Sequence, residues 1–231
     1  MIDPALNSKY SQDEIDRAIE VLSYKEVTEM PKQEDSKFPI LYIFRHGQSE
    51  DNKDYIFSGW RDSDLTEKGI EQAKVLAEKM KDKKIGILFS SPQQRALKTM
   101  QIAMSLNENS TGELEIIQDP RLRERSYGDL QGKSKLELML EDEKLLNEYR
   151  RSYTKKAENG ESLEEVVARV KEFCDELVPL MLENKINVAV SCHGNTIRGF
   201  RKYFENLTEE EVCKFETPLA QDYISYNIKS L

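Results

Sequence analysis

Ile40-Leu41-Tyr42-Ile43-Phe44-Arg45-His46-Gly47 is the stretch on which the reading of this chain turns. A short, unbroken apolar run is the signature of a buried strand, too short for a core helix. The run ends by delivering a histidine, and a glycine then lets the backbone turn. Val188-Ala189-Val190-Ser191-Cys192-His193-Gly194 repeats the pattern, and the chain has only two histidines. Open α/β sheets place their chemistry at the carboxyl ends of such strands. Imidazole suits proton and phosphoryl work near neutral pH. A histidine is often a core or capping residue, but the duplicated context points to a shared site.

Working outward, strands and helices alternate. Ser11 can cap a helix whose Ile15, Ala18, Ile19 and Leu22 form one apolar stripe, packed on the body or on a partner. Lys32 to Lys37 is polar and reads as a loose connector. After strand Ile40–Phe44, Thr66 caps a helix carrying Ile70, Ala73, Leu76, Ala77 and Met80 on one side. Strand Ile85–Phe89 follows, and Ser90-Ser91-Pro92 starts the next helix, with proline in a tolerated early position. Leu114–Ile117 is a strand, and Arg121 to Gly132 a loop. Helices cover Lys135–Tyr149 and Leu163–Glu183. Strand Asn187–Ser191, a helix from Thr196, a short one from Thr208 and an alternating strand Tyr223–Ile228 complete the chain. The order predicts an α/β fold of three layers, a mostly parallel central sheet with helices on both faces. Residues 1–37 read as an N-terminal helical extension and connector, and 38–231 as a single catalytic α/β domain.

The 231 residues carry a net charge of −9, which argues against nucleic acid as a partner. A small anionic ligand remains compatible, because arginines recur beside the apolar runs and a basic pocket focuses its field locally. No apolar stretch approaches 20 residues, so no membrane span is expected. The start Met1-Ile2-Asp3-Pro4 lacks the features of a signal peptide. Cys174, Cys192 and Cys213 are scattered and odd in number, which fits a reducing cytoplasm better than a disulfide framework. With two histidines and no CxxC, zinc is not expected.

Further blocks sharpen the picture. Asn52 and Ser58-Gly59-Trp60 follow Arg45-His46-Gly47, then Leu65-Thr66-Glu67-Lys68-Gly69, Ser91-Pro92-Gln93-Gln94-Arg95-Ala96-Leu97-Lys98-Thr99, Arg123-Glu124-Arg125-Ser126-Tyr127-Gly128 and Cys192-His193-Gly194-Asn195-Thr196-Ile197-Arg198-Gly199. Together, from about Leu41 to about Ile228, these resemble the histidine phosphatase superfamily, most closely the short form of its 2,3-bisphosphoglycerate-dependent phosphoglycerate mutase branch. The resemblance does not cover residues 1–37.

Phosphoryl transfer spreads negative charge over equatorial oxygens and calls for cations around them. Arg45 and Arg95 offer planar forks that match phosphate. A neutral imidazole can attack phosphorus. The resemblance makes His46 that nucleophile and His193 a stabiliser of the transition state, with Asn52 and Asn195 completing the oxygen contacts. Glu124 among arginines reads on its own as a surface ion pair; the resemblance makes it the acid/base. Tyr127 packs in the core or donates to the ligand. Ser58, Gly59 and Gly194 fall in the same matched blocks and are expected to bind substrate.

Superfamily membership does not decide between mutase and phosphatase. Lys135 and the pair Arg150, Arg151 stand where the resemblance implies grips for the substrate's second anionic end. The pair also suits the end of a solvated helix. The resemblance thus implies isomerisation of 3-phosphoglycerate and 2-phosphoglycerate, with 2,3-bisphosphoglycerate as phosphoryl primer, no metal and activity that survives chelation. Two features favour a phosphatase of small phosphorylated metabolites: a short segment after Arg151 and a short tail; Gln48 and Asp51, in place of the mutases' usual Glu and Trp, are departures from the mutase pattern. A regulator docking through the N-terminal helix is a third reading, against which the pair His46 and Glu124 speaks. The expected partner is a small phosphorylated anion, without nucleic acid or membrane; self-association is left open.

Overall fold

The computed structural model describes residues 4–23, 29–109 and 115–229. Its centre is a sheet of β1 (Ile40–Arg45), β2 (Ile87–Ser90), β3 (Ile116–Gln118), β4 (Val188–Cys192) and β5 (Ile224–Asn227), in the order β3-β2-β4-β1-β5. Only β5 runs antiparallel to its neighbour. The helices are α1 (Pro4–Lys9), α2 (Gln12–Ser23), α3 (Glu50–Lys53), α4 (Glu67–Met80), α5 (Gln94–Ala103), α6 (Lys135–Glu141), α7 (Glu143–Arg151), α8 (Leu163–Asn184), α9 (Gly194–Glu205) and α10 (Glu209–Lys214).

The apolar run of β1 is continuous because both of its faces are covered. Leu41 and Ile43 pack with Val188, Val190 and the α8 and α9 residues Val170, Phe173, Ile197 and Phe200. Tyr42 and Phe44 pack the other way, with Leu76 and Met80 of α4 and Met100 of α5. Each fully buried side chain of this size contributes about 1.5–3 kcal/mol. The register then sets the chemistry. Arg45 lies beside Cys192 on the neighbouring parallel strand. The next residue of each strand is His46 and His193, and the His46 N–H donates to the Cys192 carbonyl at 3.1 Å.

Neither following glycine adopts a left-handed backbone. Gly47 is needed for a close approach instead: a Cβ there would lie 2.3 Å from the Gly69 carbonyl oxygen. That contact seats the start of α4 against the histidine-bearing loop.

Several elements differ from the sequence reading. The expected helix over Lys135–Tyr149 is two helices. Asp142 leaves the helical region, its N–H bonds the Leu138 carbonyl, and its carboxylate accepts from the Leu145 N–H to start α7. A short acidic side chain is a strong helix start, and here it overrides continuous periodicity. Pro92 lies outside α5, which begins at Gln94. Strand β3 is displaced to Ile116–Gln118, and Leu114 of the expected strand lies outside the described residues. Lys32 to Lys37 is not loose. The Gln33 N–H donates to the Ser225 carbonyl and the Ser225 N–H to the Pro31 carbonyl, so the segment covers the open edge of β5. The Lys32 ammonium lies 3.2 Å from the centre of the Tyr223 ring.

Ser11 starts α2 as expected, its N–H and hydroxyl both donating to the Glu14 carboxylate. The stripe Ile15, Ala18 and Leu22 packs on Phe57 and on Leu136 and Met139 of α6. α1 had no counterpart in the sequence reading. Cys174, Cys192 and Cys213 are free and buried. Among the described residues, no helix is long and apolar enough to cross a membrane.

Candidate active site

The ends of β1 and β4, the turn after β2 and the loop carrying Glu124 converge on a cavity of about 390 Å³. His46, Arg45, Arg95, Glu124, Asn52, Ser58, Gly59, Tyr127, Lys135, Arg150, Arg151, Gly194 and Asn195 all line it. His193 is fully buried behind that surface, its ring centre 4.9 Å from that of His46.

His46 Nδ1 lies 2.6 Å from the Gly47 carbonyl oxygen. A carbonyl only accepts, so Nδ1 carries the proton and the lone pair sits on Nε2. Arg95 is held by its backbone surroundings: Nη1 donates to the Arg61 carbonyl and Nη2 to the Gly59 carbonyl, both at 2.9 Å. Burial pulls its guanidinium down to about 10, against the pull of Glu124, Asp51 and Asp62, so it stays a cation at neutral pH. Gly59 thus serves through its carbonyl. Gln93 bonds the same oxygen through Nε2 and accepts from the Glu124 N–H at 3.0 Å, tying the two loops together.

Glu124 caps α9. The Asn195 N–H donates to Oε1 at 3.2 Å, and the Arg125 N–H donates to it at 2.8 Å. Burial alone would push this carboxyl up. The Arg125 N–H, Arg45, the Asn195 contact and Arg95 outweigh burial, and the carboxyl ends below its ordinary range. Glu124 is therefore an anion, a base before it is an acid. His193 is also shifted down, which favours its neutral form: burial, then Arg95, His46 and Arg45, hold its pKa well below the usual imidazole value. It is neutral, so the positive charge around the site comes from the arginines. Both its nitrogens, and Nε of Arg45, are buried without a hydrogen-bond partner among the described residues.

A second cationic group lines the same cavity. Arg150 and Arg151 end α7, and Arg198 lies one turn into α9. Its electrostatic neighbours are Glu216, Tyr127 and Arg125. Those of Arg95 and Glu124 are one another, Arg45 and nearby aspartates. Arg151 is ion-paired with Glu216, whereas Arg150 forms no ion pair among the described residues. Lys135 reaches the cavity but donates to the Ile56 carbonyl and lies over the Phe57 ring. Tyr127 packs its ring on Phe57, and its hydroxyl accepts from Arg125 at 3.2 Å. Asn52 spends its side-chain oxygen on the Ser49 N–H, which leaves Nδ2 as its donor. At the two departures, the Gln48 side chain accepts from the Thr66 hydroxyl and Asp51 lies 3.7 Å from Arg61.

Lys53, Lys68, Arg198 and the segment Phe215–Thr217 also line the cavity and were not on the sequence's list of site residues. Arg198 carried a signal, standing three residues after Asn195 on one helix face. It donates to Asn195 Oδ1 at 3.1 Å. Among the described residues no cluster of three His, Cys, Asp or Glu side chains could hold a metal ion.

A paired-imidazole site at parallel strand ends, ringed by guanidinium groups, marks a phosphoryl-transfer class. The chain belongs to the histidine phosphatase superfamily, branch 1, whose family profile matches residues 41–227. The 2,3-bisphosphoglycerate-dependent phosphoglycerate mutase of Bartonella henselae is 39% identical over 180 residues, 76% of this chain and 86% of that enzyme. A phosphoglycerate mutase of Schizosaccharomyces pombe is 39% identical over 181 residues, 77% of this chain and 84% of its own length. Among solved structures, a mycobacterial glucosyl-3-phosphoglycerate phosphatase superimposes with a TM-score of 0.69 at 25% identity, covering 81% of this chain and 92% of that one. A phosphoglycerate mutase of Bacillus anthracis shares the fold, with a TM-score of 0.64 at 22% identity over 86% of this chain and 95% of its own.

Proposed function

We propose that this chain interconverts 3-phosphoglycerate and 2-phosphoglycerate through a phosphohistidine at His46. One observation carries the reading: two separate cationic groups line the cavity that contains His46, so a ligand with anions at both ends fits it. The relatives named as mutases support the choice of substrate.

His46 Nε2 attacks one phosphorus of a bound 2,3-bisphosphoglycerate. The P–N bond forms as the ester P–O bond breaks, and the electron pair leaves on the alkoxide oxygen, which takes a proton from Glu124. Return of the phosphoryl group to the free hydroxyl of a bound monophosphoglycerate reverses the steps, with Glu124 accepting that proton; this re-forms the bisphosphate, and attack on its other phosphate completes the isomerisation. Glu124 gains its proton when a bound phosphate draws off the field of Arg45 and Arg95. Arg45 and Arg95 neutralise charge on the transferring oxygens, and neutral His193 donates one hydrogen bond. The unpartnered donors Arg45 Nε and His193, together with Arg150, suit a bisphosphate. Bound there, 2,3-bisphosphoglycerate would supply the phosphoryl group that loads His46.

A second reading has its own support. α7 ends at Arg151 and only ten residues or so of loop lead to α8 at Leu163, with no long segment to exclude water. That favours hydrolysis of small phosphorylated metabolites, as the name of the mycobacterial structural relative also indicates. Assaying isomerisation and phosphate release on one sample, with and without 2,3-bisphosphoglycerate, tests both. Isomerisation that depends on the bisphosphate is the expected result. Phosphate release with no isomerisation would overturn the mutase reading.

A further inference from the structure

The second cationic group already holds an anion of the protein's own. Glu216, in the irregular segment after α10, is ion-paired with Arg151, and its carboxylate lies 3.9 Å from Arg198. The side chain is only 16% exposed, and it lines the cavity. The segment around it is clamped on both sides by cavity arginines. The Phe215 carbonyl accepts from Arg198 at 3.0 Å and the Thr217 carbonyl from Arg45 Nη1 at 2.9 Å. Three guanidinium groups thus grip three consecutive residues, and the middle one presents a carboxylate.

We infer that Glu216 is a specificity-determining residue, an internal carboxylate that competes with the substrate's own carboxylate for Arg151. The inference rests on the proposed glycerate-phosphate chemistry for its choice of ligand, but not on turnover. A carboxylate arriving at Arg151 meets a like charge already in place, and like-charge juxtaposition is a strong discriminator between ligands. It must displace Glu216 or be held by Arg150 alone. A ligand with phosphate but no carboxylate meets no such competition. The built-in anion therefore lowers affinity for carboxylated phosphoesters relative to plain ones. It also gives the half-buried Arg151 a counter-charge within the protein.

The test is calorimetric binding of 3-phosphoglycerate and of glycerol 3-phosphate to the full chain, its Glu216→Gln variant and its Glu216→Asp variant. The two ligands differ in the carboxylate, so the ratio of their affinities isolates it. Glu216→Gln is expected to raise the preference for 3-phosphoglycerate by about tenfold, one charged contact's worth. Glu216→Asp, which keeps the charge, is expected to stay near the parent ratio. A structural role alone would weaken both ligands together and leave the ratio unmoved, which would overturn the inference. So would a fall in the preference, which would mean that Glu216 orients Arg151 rather than competing for it, or a failure of 3-phosphoglycerate to bind either the parent or Glu216→Gln. Isomerase activity is read separately. A chain that fails to isomerise yet shows the ratio shift refutes the mutase reading and leaves the role of Glu216 standing.

Discussion

The two charged regions of this cavity are built by different rules. Around His46, the groups are fixed by backbone: a carbonyl sets the tautomer of His46, two carbonyls hold Arg95, and the first turn of α9 holds Glu124. Around Arg150, the cations come from the last turn of α7 and from α9, and their balance is a single carboxylate on an irregular segment. The first region is preorganised for a charge that develops during reaction. The second is a side-chain balance that a ligand must disturb in order to bind. Loss of a group should therefore be all-or-none in the first region and graded in the second.

The largest effect is expected for His46→Ala. Without the nucleophile no P–N bond forms, and kcat/KM should fall by on the order of 10⁴-fold or more. Rapid acid-free quenching with labelled substrate should show phosphoenzyme in the parent and none in the variant. A variant that keeps more than a tenth of the parent rate would erase the contrast between the two regions.

Glu124→Gln comes next, with a loss of about 10²–10⁴ in kcat, the usual span for a general acid/base. This carboxyl is held below its ordinary range in the empty site by the Arg125 and Asn195 N–H groups and by Arg45 and Arg95. A phosphate dianion beside it reverses the local field, so its proton affinity must rise on binding. Calorimetry of inorganic phosphate binding, in buffers of different ionisation enthalpy near pH 6, should therefore show proton uptake in the parent that shrinks in Glu124→Gln. Equal uptake by the two proteins would remove Glu124 from the acid/base role.

Arg150→Ala should act on binding rather than on the chemical step. Losing one charge-assisted contact costs about 1.5–3 kcal/mol, roughly ten- to a hundredfold. We expect KM for 3-phosphoglycerate to rise by that factor with kcat within about threefold. An equal fall in kcat would show that the two regions are one machine.

The same contrast explains what the sequence revealed. The histidine-bearing strands were legible because burial on both faces writes a continuous apolar run, and the parallel register of β1 and β4 then leaves the histidines no choice but to be neighbours. Arg95 was suggested by its fork-shaped cation beside an apolar run and Glu124 only by the family resemblance, and nothing in the sequence says that Glu124 caps α9. Asp142 defeated periodicity because one capping carboxylate can end a helix that its apolar pattern would continue. Lys32 to Lys37 looked loose because its order comes from the distant edge strand β5, a tertiary contact with no local trace. Glu216 was invisible for the same reason: an acidic residue in an irregular segment is ordinarily solvated, and only the fold carries it to Arg151. Leu22 and Ser23 of α2 also reach the cavity wall from outside the family match, and Ser23 bonds the Tyr55 hydroxyl at 2.7 Å.

The smallest expected effect concerns stability and the preorganised region alone. His193 is held neutral in the folded chain, its pKa depressed by burial and by Arg95. In the unfolded chain it titrates near the ordinary value of about 6.5. Above that pH both states are neutral, and His193 adds no pH dependence. Below it the unfolded state takes a proton that the folded state refuses, so stability falls as pH drops toward the folded pKa, by up to about 1.4 kcal/mol per pH unit. Glu124 also loses stability toward acid, but only as pH falls through the carboxylate range, so the window from pH 6.5 down to about 5 reports His193. Melting temperature followed through that window should fall in the parent and flatten in His193→Gln. A slope that survives in His193→Gln would mean that the buried ring is not the proton-refusing group.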